Sequence, residues 1–286
     1  MKIWKSFASL LFFVILSSAH AFPLAPVDDL NFKPLQPLLS AGYDFSGIVK
    51  LSNCSGSLII FEDQDFNSKA IVLTNGHCVP KGIWGGMIRP GEVISNKNVK
   101  RNMTLYKDLR TRFSITSTKI IYATMTDTDL ALYELSETYQ QILSRTGVSP
   151  LVLSSQRPVE GTGIEVISGY WERGYSCAVD TMVYQLREGG YLFKDSIRYT
   201  PGCDTKGGTS GSPIINTATR EVIGVNNSGN ESGRRCTDNN PCEVDEYGEV
   251  LVLRGARYGQ QTFNVYTCLT ETREFSLNRA GCLLPK

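Results

Sequence analysis

From about residue 45 onwards, apolar positions in this chain fall in short, strand-length runs separated by Gly, Pro, Asn and Asp. Gly47–Leu51, Ser57–Phe61, Ala70–Leu73, Phe113–Ala123 and Leu130–Leu135 form a first set rich in β-branched and aromatic residues. A second set comprises Leu151–Leu153, Ile164–Ser168, Ala178–Leu186, Tyr191–Tyr199, Ser212–Asn216, Glu221–Val225 and Gln261–Leu269. Only Ser136–Arg145 has a helical pattern, and it lies between the two sets as a linker would. The chain therefore reads as all-β.

The N-terminal end breaks this pattern. Lys2 and Lys5 precede an apolar run from Phe7 to Leu16, followed by Ser17-Ser18-Ala19-His20-Ala21. A basic start, a short apolar stretch and a small-x-small ending make residues 1–21 a signal peptide, with cleavage expected after Ala21. The apolar run is too short to span a bilayer, and no cysteine follows the cut to take a lipid. Residues 22–44 contain Pro23, Pro26, Pro34 and Pro37 with little periodicity. They read equally as an extended arm or as a propeptide, the latter making the chain a zymogen.

Composition adds the compartment. Removing the leader takes two lysines and no acids, leaving 27 basic residues against 28 acidic ones. That balance points to neither nucleic acid nor an anionic membrane as a partner. About 265 residues remain, enough for one large domain or two fused barrels. The expected product is a secreted or periplasmic monomer. Its eight cysteines are an even number in an exported chain, so disulfides are the default and a metal site the minor reading.

The candidate chemistry starts at Gly207-Gly208-Thr209-Ser210-Gly211-Ser212-Pro213. A serine hydroxyl becomes a useful nucleophile only with an adjacent base and with N–H groups to hold the oxyanion that forms. Glycines around Ser210 allow the tight backbone that such a loop needs, and they would leave the N–H groups of Gly208 and Ser210 pointing outward. The chain has two histidines, and His20 falls in the leader. His77, at the end of the apolar run Ala70–Leu73 and beside Cys78, is the remaining base. Asp129 opens the run Leu130–Leu135, where a carboxylate needs a partner to offset its burial. It is preferred over Asp127, which lies further into the polar loop. The chain order His77, Asp129, Ser210 is that of chymotrypsin-type enzymes, not of subtilisins. An α/β-hydrolase is excluded because no histidine follows Ser210 and Ser212 stands where its elbow needs glycine.

Thr74-Asn75-Gly76-His77-Cys78, Asp129-Leu130-Ala131-Leu132 and Gly208-Thr209-Ser210-Gly211-Ser212-Pro213 resemble the signature blocks of the trypsin/chymotrypsin superfamily. The last is more similar to its bacterial branch, which includes V8-like glutamyl endopeptidases. Asn53-Cys54-Ser55-Gly56-Ser57-Leu58-Ile59 resembles a fourth family block upstream of the histidine. The resemblance implies two six-stranded antiparallel β-barrels split near Gly147, with the active site in the cleft between them. The peptidase domain would span 45–268, barrel 1 about 45–146 and barrel 2 about 147–268, with 269–286 as a tail. It implies a serine endopeptidase acting on a protein or peptide substrate through His77, Asp129 and Ser210, without cofactor or metal. It also implies a Cys54–Cys78 bridge bracing the histidine loop. Cys177–Cys203 would tie a strand to the loop approaching Ser210, and Cys236–Cys242 and Cys268–Cys282 follow by proximity.

Animal members free an Ile-Val-Gly-Gly amine that pairs with an acid just before the serine. Here that position is Thr209, and Ile48-Val49-Lys50 runs into the Cys54 block, so the family's activation step is not expected. Asp204, six residues before Ser210, occupies the position found at the bottom of the S1 pocket in trypsin-like relatives. With Thr205 it would favour Arg or Lys at P1, and Asn227, Ser228 and Gly229 would form the pocket wall. The alternative is cleavage after Glu, but the pocket histidine linked to it is here Asn226. A non-catalytic binding protein on the same fold is the third reading. Asn226-Asn227-Ser228 and Asn230-Glu231-Ser232 match the glycosylation sequon.

Overall fold

The computed structural model of the protein describes residues 42–80 and 86–286. The expected leader, and the arm or propeptide up to residue 41, lie outside the described residues. Among the described residues there are fifteen strands, one α-helix and short 3₁₀ segments.

Strands β1 (Ile48–Lys50), β2 (Ser55–Phe61), β3 (Lys69–Thr74), β4 (Val93–Tyr106), β5 (Arg112–Thr124) and β6 (Leu130–Thr138) pair antiparallel in the order β1-β4-β5-β6-β3-β2. A β1–β2 pairing closes this circuit. The helix α1 (Tyr139–Thr146) follows, opened by a capping box between Thr138 and Gln141 and ended by Gly147 in the left-handed region at φ +69°. Then come β7 (Leu151–Leu153), β8 (Gly163–Ser168), β9 (Arg173–Glu188), β10 (Tyr191–Tyr199), β11 (Pro213–Asn216) and β12 (Val222–Gly229). The hairpin of β13 (Cys242–Val244) and β14 (Val250–Leu251) precedes the last strand, β15 (Arg257–Gln261). A second antiparallel circuit runs β12-β11-β8-β9-β10-β15 and is closed by a β12–β15 pairing. The short β7 lies parallel to both β2 and β12 and joins the circuits. Closure satisfies the strand edges that an open sheet would leave unpaired.

Side-chain alternation explains why several strands read as unbroken apolar runs. In β6, Ala131, Tyr133 and Leu135 enter the core of the first circuit, while Leu130 and Leu132 face a second cluster. Likewise Ile214 of β11 packs inside the second circuit with Ile164, Val166 and Ile197, whereas Ile215 turns toward Leu73 and Leu153. Both faces of these strands are buried, so neither shows a polar stripe.

Two expectations need correction. Gln261–Leu269 is not a strand: β15 ends at Gln261 and a 3₁₀ segment, Phe263–Cys268, follows. Its apolar residues pack as a cap, with Val265 and Cys268 buried, and the chain beyond folds back against the body. Phe275 meets the Tyr122 ring at 5.4 Å and Tyr122 donates to Pro285 O at 3.2 Å. Conversely, β4 was not evident from the sequence. Its first half, up to Lys100, has no buried residue and is largely solvent-facing, buried residues begin at Arg101, and its register shifts between Asn98 and Arg101. A largely exposed stretch offers little apolar alternation to detect.

Candidate active site

His77 sits in a 3₁₀ turn, Gly76–Cys78, immediately after β3. Its Nδ1 lies 2.5 Å from Asp129 Oδ2, and its backbone N–H donates to Asp129 Oδ1 at 3.0 Å. Asp129, at the mouth of β6, is 1% exposed. A third tie comes from Asn75, whose amide donates to Asp129 O at 2.8 Å. The turn can approach this closely because residue 76 lacks a side chain. A Cβ there would meet Thr124 O at 2.0 Å and Asp129 Oδ1 at 3.0 Å. Asp127, the rival carboxylate, instead points outward at φ +58° and pairs with Lys194 at 2.9 Å.

The histidine turn is braced twice. The Cys54–Cys78 disulfide ties it to the start of β2. The buried Arg101 guanidinium of β4 donates to Cys78 O at 2.9 Å, Tyr133 Oη at 3.1 Å and Asn53 Oδ1 at 2.6 Å. Arg101 went unnoticed in the sequence because β4 itself did. Burial alone pushes the His77 imidazolium pKa down. The Asp129 carboxylate, by charge and hydrogen bond, and the more distant Glu188 outweigh it and hold the value above the ordinary 6.5.

Ser210 arrives from the second circuit on a loop fixed to the first. Ser55 N donates to Ser210 O at 2.8 Å, and Gly211 N to Asn226 O at 2.9 Å. Gly211, at φ +81°, admits no side chain, since a Cβ would meet Ser55 O at 2.1 Å and Thr74 Oγ1 at 2.2 Å. Gly208 is also left-handed, at φ +89°, beside Tyr170 and Trp171. Among the described residues, the N–H groups of Gly208 and Ser210 donate to no protein acceptor. The Ser210 hydroxyl donates to Asn227 O at 3.2 Å and forms no hydrogen bond to His77. Thr209 is buried and turned back on the Lys206 backbone, so the position just before the serine offers no carboxylate.

A cleft of about 290 Å³ gathers His77, Asp129 and Ser210, with Thr205, Asn227, Ser228 and Gly229 also on its walls. Asp204 does not belong to it. The chain makes a tight turn in which Thr205 N donates to Cys203 O at 2.7 Å, burying Thr205 and leaving Asp204 in solvent. Sequence position had suggested a buried carboxylate there; local turn geometry reverses it. The cleft also takes in Glu188 and Arg257, which sequence reading missed because each comes from a strand far along the chain from any motif. Burial raises the Glu188 pKa despite bonds from Ser228 and the Asn239 N–H.

All four expected disulfides form: Cys54–Cys78, Cys177–Cys203, Cys236–Cys242 and Cys268–Cys282. Cys54, His77 and Cys78 bring ligand-type atoms together, but both sulfurs are consumed by the bridge. Neither sequon is available to a glycan. Asn226 is 2% exposed, and the buried Asn230 amide donates to Arg234 O and Pro241 O at 3.1 and 2.9 Å.

A family model described as the trypsin-like peptidase domain matches residues 54–225, and the chain belongs to that family of serine endopeptidases. Among solved structures, the protease domain of MamO from Magnetospirillum magneticum shares the fold. It has 12% identity and a TM-score of 0.50 over 81% of this chain and 100% of that one. Mouse neuropsin, a serine protease, is similar at 14% identity and a TM-score of 0.45, covering 78% and 92% of the two chains. A Glu endopeptidase is similar at 16% identity and a TM-score of 0.43, covering 76% and 85%. No curated protein matches the chain significantly in sequence.

Proposed function

We propose that this chain is an exported serine endopeptidase in which His77, Asp129 and Ser210 act as a catalytic triad. The observation that carries the reading is the His77–Asp129 pair facing a glycine-flanked serine across one cleft, next to two backbone N–H groups without acceptors. Ser210 Oγ attacks the scissile carbonyl carbon while His77 Nε2 removes its proton. Asp129 holds the tautomer with the proton on Nδ1 and stabilises the imidazolium that forms. The N–H groups of Gly208 and Ser210 take the oxyanion. Collapse breaks the C–N bond, and His77 gives its proton to the departing amine. Water, deprotonated by His77, then cleaves the acyl-enzyme and restores Ser210. In this mechanism the Ser210 hydroxyl leaves Asn227 O for His77 Nε2 when substrate binds.

Four disulfides support an extracellular or periplasmic site of action, in keeping with residues 1–21 serving as a cleaved leader. Residues 45–268 would form the peptidase domain and act as a monomer, with 269–286 a docked tail. Ser210→Ala is expected to reduce kcat by about 10⁶-fold and to abolish labelling by a fluorophosphonate probe. A variant that kept full peptidase activity would refute the assignment. The orientation of the Ser210 hydroxyl toward Asn227 O favours one second reading, a peptide-binding protein without turnover. Absence of labelling in the unaltered protein would select it.

A further inference from the structure

The cleft carries a guanidinium with nothing to bind. Arg257 opens β15, in register with Gly229 of β12, and lines the same cleft as Ser210. Among the described residues its side chain forms no ion pair and no hydrogen bond, and its Nε is buried without an acceptor. Other arginines of this fold are committed: Arg112 to Glu172, Arg145 to Glu137, Arg198 to Glu243 and Asp180, Arg220 to Glu165. A partly buried cation without a counter-charge is unfavourable until an anion arrives.

At Gly229 it is space, not backbone angle, that this side chain takes up. Its φ is not in the left-handed region, yet a Cβ would meet Arg257 Cδ and Nη1 at 2.5 Å, and Ala256 O at 3.0 Å. The guanidinium therefore lies against the wall of β12. Ser210 Oγ touches that strand at Asn227 O, and Gly229, the register partner of Arg257, is two residues further along, past a bulge between Asn226 and Ser228, so the separation is at most about 7 Å. That is the length scale of an acidic side chain on the residue attacked by Ser210. Among the described residues none of the cleft carboxylates pairs with Arg257: Asp129 is held by His77, Glu188 accepts from Asn239 N at 2.8 Å, and Glu231 and Asp238 are exposed. Asp204, the carboxylate expected for a basic P1 residue, is outside the cleft.

We propose that Arg257 binds the carboxylate of a Glu or Asp at P1, so that the enzyme cleaves after acidic residues. The proposal rests on the triad reading above. It also changes the argument against acidic specificity: the absent pocket histidine matters less when an arginine supplies the positive charge.

The test is a P1-scanning peptide library on the mature protein and on Arg257→Gln and Arg257→Glu. The expected kcat/KM for P1 Glu or Asp exceeds that for Lys by about 10- to 100-fold, the scale of one charge-assisted hydrogen bond. Arg257→Gln should erase that ratio and Arg257→Glu should invert it. A preference for Lys, Arg or apolar P1 in the unaltered protein, or a ratio unmoved in both variants, would overturn the proposal while leaving the peptidase reading intact. Binding to Ser210→Ala of peptides ending in Glu or in Lys reads the same pocket without turnover. A Glu-ending peptide held at least about tenfold tighter, and only with Arg257 present, supports the role even if catalysis fails. Equal binding refutes it.

Discussion

The two strand circuits treat their functional residues differently. In the first, His77 and Asp129 are held from every side: three hydrogen bonds join the histidine turn to Asp129, and a disulfide and Arg101 pin the turn from behind. In the second, the Ser210 loop is anchored by its backbone, while its hydroxyl, its two outward N–H groups and the nearby Arg257 remain uncommitted to the partners they would serve. In the proposed mechanism one half supplies a preset base and the other presents groups that await a substrate. Rigid positioning of the proposed base and open valence around the proposed nucleophile together suit chemistry in which charge develops only in the transition state.

The largest expected effect lies in the preset half. Asp129→Asn should keep the fold, checked by circular dichroism, but lower kcat by about 10⁴-fold because the amide favours the wrong imidazole tautomer. A loss below tenfold would mean that the clamp is structural only. Next in size is the brace. A Cys54→Ser, Cys78→Ser double variant should lose about 3 kcal/mol of unfolding free energy in urea, given the 24-residue separation the bridge closes. The Cys236–Cys242 bridge, closing only 6, should matter less. Equal losses would remove the contrast between the halves.

The smallest effect concerns pH. With His77 as the proposed base, peptidase activity requires it neutral, so kcat/KM should fall as pH drops through a value above 6.5. Glu188, on the wall of the same cleft, contributes to that elevation. Glu188→Gln should therefore move the acid limb to lower pH, read from a kcat/KM profile; a shift upward would contradict the electrostatic assignment. For stability the sign is opposite in sense. The His77–Asp129 attraction contributes fully below the unfolded value of 6.5 and is lost as pH rises through the higher folded value.

Local signals served well wherever one segment carries both the residue and the reason for it. Gly76 and Gly211 look like turn residues in sequence, and in the structure each is the only residue whose size fits against a neighbouring carbonyl. The strands with two buried faces announced themselves through uninterrupted apolar runs. β4 did not, because its first half has no buried residue. Asp204 misled because counting back from Ser210 assumes a loop path, and a single tight turn at Cys203–Thr205 rotates the carboxylate outward.

What sequence alone determined was the strand-rich class, the serine, histidine and aspartate candidates and the cysteine set, since each depends on residues close together in the chain. Tertiary structure decided which side chains meet in the cleft. Arg257 is brought there by the β15–β12 pairing, and the end of β9 that carries Glu188 is tied by its pairing with β13 and a bond from Asn239, all between distant segments, and no periodicity in their own surroundings records who the neighbours will be. Burial and charge at a site are sums over such long-range neighbours, and a linear reading does not perform that sum.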